Sequence, residues 1–90
     1  MKTQTKDRLA CLVSNLECMM EIVQPEIDWL DYEQETLQEK FDRKSDRWQG
    51  SERGDKAQLE IDAFDDLIGS LHEILDNLEI IAGNVKGMLK

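Results

Sequence analysis

From Ile61 to the end of the chain, apolar or small residues recur at Ile61, Phe64, Ile68, Leu71, Leu75, Leu78, Ala82, Val85 and Leu89. The steps alternate three and four without a break, the spacing of a and d positions over four heptads. A second row runs beside it at position g: Leu67, Ile74, Ile81 and Met88. A two-stranded coiled coil needs only the narrow a/d seam. A face of a, d and g is wide enough to touch more than one helix. The pattern predicts a long final helix with at least two neighbours. No stretch alternates apolar and polar residues with β-branched or aromatic enrichment, so no strand is expected.

The first half carries the same period. Leu9, Leu12, Leu16, Met19 and Val23 follow a/d steps; the pattern then shifts by one residue and resumes at Ile27, Leu30, Leu37, Phe41 and Trp48. The shift falls at Pro25, the only proline, which removes one N–H and crowds the carbonyl of Glu21. This predicts either one helix kinked near Pro25 or two helices with a sharp joint there. Gln34 and Lys44 fall on inward positions of the second segment, so that end of the core is expected to be thinner and wetter.

Between the halves lies Gly50-Ser51-Glu52-Arg53-Gly54. Gly50 suits a left-handed residue past a helix end. Ser51 or Asp55 suits the next N-cap, and Asp55 with Gln58 fits a capping box. The arms on either side are each about 55–65 Å long if helical, so the chain folds on itself as a hairpin. The expectation is a single all-α domain over residues 1–90, with helices at roughly 6–24, 26–49 and 52–87. A lone hairpin does not bury so much apolar surface. It closes either by folding back at Pro25 into a three-helix bundle or by pairing as a homodimer into a four-helix bundle.

Ninety residues have room for one domain and none for a dinucleotide-binding unit with a substrate domain. Twenty acids against eleven bases, net −9, argue against direct binding of nucleic acid through the overall field. Cys11 and Cys18 would lie about 10 Å apart on one helix, too far for a disulfide, which suits free thiols in a reducing cytosol. Both fall at c in this register and are expected to act as small buried hydrophobes. The most apolar stretch, Leu9 to Val23, is interrupted by Glu17 and Glu21 and is short for a membrane span. No cleavage pattern of a signal peptide follows it. The expected location is the cytoplasm of a bacterial host cell, with no membrane contact.

The run Trp48-Gln49-Gly50-Ser51-Glu52-Arg53-Gly54-Asp55, followed by apolar-acidic heptads, resembles a W-Q-x-S-E-[RK]-G-[ED] turn. That turn is found in small acidic helical-hairpin proteins of bacteriophages and mobile elements. The likeness covers roughly residues 33 to 81 and is most specific at the turn. It implies a phage-type accessory protein with a two-helix core, and it brings no catalytic residues.

Glu26, Asp28, Asp31, Glu33, Glu35 and Glu39 have no base among them, and Asp62, Asp65, Asp66, Glu73, Asp76 and Glu79 continue the acidic pattern on the last helix. One reading is the solvated outside of a bundle. The other is an anionic face that competes with nucleic acid for a basic protein surface, such as that of a nucleic-acid-binding defence effector. This second reading resembles phage inhibitors of host defence, anti-CRISPR proteins among them. Trp29 and Tyr32 lie off the seam, either packed against a folded-back segment or serving as aromatic anchors for a partner. His72 flanks the seam at e and has no ligand partners at zinc spacing.

The sequence fits two further functions. One is a structural or regulatory oligomer acting through apolar ends. The other is a Mg²⁺-dependent all-α NTP pyrophosphatase, suggested by Glu39-x-x-Asp42 and Glu73-x-x-Asp76 but lacking any E-x-x-E pair. The expectation is a non-catalytic chain with no cofactor and no metal.

Overall fold

The computed structural model describes residues Met1–Lys90. Helix α1 runs Thr3–Asp42, the single-turn α2 runs Asp46–Gln49, and α3 runs Glu52–Leu89. There is no strand. Helices α1 and α3 pack antiparallel into a rod of 68 × 15 × 15 Å. The all-α hairpin is thus as the heptads require.

The seam on α3 is the one its spacing predicts. Ile61, Ile68, Ala82 and Val85 are buried, and Phe64, Leu71, Leu75, Leu78 and Leu89 are half-buried. The seam on α1 corrects the sequence reading. It runs through Leu9, Val13, Leu16, Met20, Val23, Ile27, Leu30, Gln34, Leu37 and Phe41, with steps of four and three throughout. Leu12 is 38% exposed and Met19 46%, whereas Val13 is 8%. In the heptad so defined, Val13, Met20, Ile27, Gln34 and Phe41 are a, and Leu9, Leu16, Val23, Leu30 and Leu37 are d. Ile27, at 1% exposure, is the most deeply buried of the core residues.

No phase shift occurs at Pro25, because the true seam needs none. Pro25 lies inside α1 and is exposed, at the f position farthest from α3. Glu21, whose carbonyl loses its partner, is also exposed, so that carbonyl is not left without a partner in a dry interior. The helix is not broken there, and the N-terminal segment runs on against α3 rather than folding back. The chain by itself is therefore a two-helix hairpin and not a three-helix bundle. The segment expected at 26–49 ends instead at Asp42, with α2 as a separate turn.

Gln34 is the one polar residue in the α1 seam. Its Nε2 donates to Asp65 Oδ1 across the interface. A polar group at a favours the register in which it finds a partner, at some cost in stability. The only ion pair, Lys86 Nζ to Glu17 Oε1 at 3.3 Å, joins two half-exposed side chains and contributes roughly 0–1 kcal/mol.

Two changes test this packing by thermal or urea unfolding. Pro25→Ala restores a backbone donor on the solvent face and is expected to stabilise the chain by about 1–3 kcal/mol. A loss of stability would mean that the backbone conformation fixed by Pro25 matters to the packing. Gln34→Leu is expected to stabilise by about 1 kcal/mol through added apolar burial. Destabilisation would show that the Gln34–Asp65 contact outweighs a hydrophobic layer.

Candidate interaction surfaces

The turn between α1 and α3 is held by local contacts of Trp48, Gln49, Ser51 and Gly54, joined by Phe41, Lys44 and Ser45 just before them. Ser45 caps α2 by accepting from Trp48 N at 3.3 Å. Trp48 packs edge-on to Phe41, with ring centroids 6.1 Å apart, and Lys44 Nζ lies 5.2 Å from its ring centroid. Gln49 Nε2 donates to the carbonyls of Phe41, at 3.0 Å, and Lys44, at 3.1 Å, near the end of α1. Ser51 is the N-cap of α3, accepting from Gly54 N at 3.3 Å while its hydroxyl donates to Trp48 O.

Gly54 is buried where α3 passes the backbone of α2. A Cβ there would collide with the carbonyl oxygens of Trp48 and Gln49 and come within 2.6 Å of Gln49 C. Two expectations are corrected here. Gly50 has φ −84°, a right-handed conformation, and Asp55 sits in the first turn of α3 rather than capping it. The motif builds a corner.

Gly54→Ala is accordingly expected to destabilise by about 1–3 kcal/mol, since backbone and not a movable side chain stands in the way. Gly69 has nothing within 4 Å, so Gly69→Ala is expected to stabilise by about 0.5–1 kcal/mol. Parallel thermal melts decide both; equal effects at the two positions would contradict the close approach at Gly54.

The seam divides the rest of the surface. In an antiparallel pair the e rows of both helices border one side of the seam and the g rows the other. The Lys86–Glu17 pair joins two e positions, marking that side. On it, at e and b, stand Glu17, Glu21, Asp28, Asp31 and Glu35 of α1, with Asp62, Asp65, Asp76 and Glu79 of α3. Glu39, Asp66 and Glu73 occupy the outermost f positions beside them. Of the acids expected to form one face, Glu26 and Glu33 do not join; both lie at g, on the other side. All twelve are exposed except the half-buried Glu33.

The hairpin also aligns two stretches that are distant in sequence. Residues 9–39 and 57–85 contain no Lys or Arg, so the shaft carries only negative charged groups along about 45 Å. Lys40, Arg43, Lys44, Arg47, Arg53 and Lys56 gather at the corner; the remaining bases lie at the open end.

The g side is apolar. Leu67, Ile74, Ile81 and Met88 on α3 are 45–56% exposed, and Leu12, Met19, Ile22 and Trp29 flank the seam on α1. Trp29 and Tyr32 are 55% and 66% exposed, so no folded-back segment covers them. Trp29 lies on the apolar flank and Tyr32 on the outer f face. Cys11 and Cys18 are exposed, not buried, because the corrected register moves them from c to f. His72 is exposed at e.

The surface holds no pocket, and no three His, Cys, Asp or Glu side chains converge as metal ligands. Glu39 and Asp42 lie at the end of α1 beside the corner, while Glu73 and Asp76 lie midway along α3, so the two carboxylate pairs do not face each other. No helix is long and apolar enough to cross a membrane. No protein-family model, curated protein or solved structure matches the chain.

Proposed function

We propose that this chain is a non-catalytic protein-binding accessory factor of the phage or mobile-element type. It presents its acidic flank to a basic surface of a bacterial defence complex and competes there with nucleic acid. The supporting observation is the sorting of charge: two base-free helical stretches lie side by side, with acids at e and b on one side of the seam and at the outermost f positions beside them. Such a rod offers a continuous negative field to a cationic channel. It steers the encounter over distances of about 10 Å at 0.1 M salt.

The test reverses charge at three exposed positions, Asp28→Lys, Asp31→Lys and Glu35→Lys, in one variant. None of the three lies in the seam, so the circular dichroism of the variant is expected to match the parent. Pull-downs from a bacterial host lysate, quantified by mass spectrometry, are expected to recover a basic nucleic-acid-binding protein with the parent and to lose at least 10-fold of it with the variant. Raising salt is expected to release it from the parent. Equal recovery by both chains would refute the acidic mechanism.

A further inference from the structure

The hairpin exposes 6892 Å² of surface. A folded monomer of 10.4 kDa ordinarily exposes about 5,400 Å². The excess of about 1,500 Å² arises because a two-helix rod has no second layer. Only eight of ninety residues are buried. The excess is chemically lopsided: the e side of the seam is acidic and the g side is apolar. The g row of α3 keeps the seven-residue spacing of its core, from Leu67 to Met88. It is built to be packed against, yet α1 leaves it about half exposed.

We infer that the apolar flank is the interface between two copies of this chain, with Leu67, Ile74, Ile81 and Met88 of each hairpin at its centre. The strip is about 30 Å long, from the rise along α3, and about 20 Å wide across two helices, or about 600 Å² in flat projection. A stable dimer buries about 800 Å² per partner, so the strip with its rim is of the required size. Charge favours a second copy as occupant. Of the fifteen acids of the shaft, twelve stand at e, b and f, turned away from this flank, and Glu60 lies at g on α3 one heptad before Leu67, at the end of the strip. Glu26 and Glu33 are the acids of the shaft that border the strip on α1. The product is a four-helix bundle, apolar within and acidic on both outer faces. This inference is independent of the partner proposed for the acidic flank.

Light scattering coupled to size exclusion on the full chain is expected to give the mass of two 10.4-kDa chains. Its melting temperature is expected to rise with protein concentration. The double variant Ile74→Glu, Ile81→Glu changes only half-exposed g positions and is expected to run as a single chain, or to weaken the dimer at least 100-fold. Asp76→Lys, on the opposite side, is expected to leave the mass unchanged. If the variant loses its helices together with its dimer, the concentration-dependent melting of the parent still carries the inference. A parent that is a single helical chain at millimolar concentration, with a melting temperature independent of concentration, would overturn it and leave the flank to a different protein. A larger assembly, or a dimer untouched by Ile74→Glu with Ile81→Glu, would also overturn it.

Discussion

The antiparallel seam between α1 and α3 decides every other feature of this molecule. Val13, Leu16 and Ile27 of α1 and Ile61, Ile68, Ala82 and Val85 of α3 are the buried members of a single layer of side chains. Burying each of the larger ones removes roughly 1.5–3 kcal/mol of apolar exposure. Little else holds the hairpin: one cross-helix hydrogen bond from Gln34, one exposed ion pair and a corner five residues deep in local hydrogen bonds. Once the seam is set, all other side chains have an assigned side. Most acids go to e, b and f, with Glu26, Glu33 and Glu60 at g, and most of the leftover apolar residues go to g and c, with Tyr32, Leu59 and Ile80 at f. The same contact that makes the fold therefore makes two surfaces of opposite character.

The C-terminal half was readable in the sequence because its a/d row and its turn agree with each other. Ile61 to Leu89 has one uninterrupted phase, and Ser51 supplies a cap where the helix starts. The N-terminal half was ambiguous for a physical reason. Leu12 and Met19 are as apolar as Val13 and Met20, so composition alone offers two adjacent rows, and only pairing with α3 selects one. Counting backward from Ile27 in steps of four and three gives Val23, Met20, Leu16, Val13 and Leu9 with no discontinuity. Pro25 drew attention to an apparent shift, but at f a proline disturbs only solvent-facing backbone. Taking Leu12 and Met19 in place of Val13 and Met20 exchanges a and d at Leu9, Leu16 and Val23 and so moves Cys11 and Cys18 between c and f.

The candidate surfaces were half legible. The acids are plain in the sequence, and so is the g row of α3. Which acids stand together is not plain, because the answer depends on how α1 faces α3. Glu26 and Glu33 look like part of the Asp28–Glu39 cluster along the chain and are separated from Asp28, Asp31 and Glu35 by the helix's own rotation. The corner shows the opposite relation. Its W-Q-G-S-E-R-G run is conspicuous, and its roles became clear only when Gly54 was seen against the carbonyls of Trp48 and Gln49. Conspicuous spacing there encodes a bend between two helices.

The register of α1 is the central claim, and the two native thiols report on it directly. With the seam at Val13, Leu16 and Met20, Cys11 and Cys18 both stand on the outermost face, away from α3 and from either flank. Titration of the folded chain with a chromogenic disulfide reagent should then modify both at the rate found in denaturant. Protection of either thiol until the chain is unfolded would place it inward and contradict the seam on which this account is built.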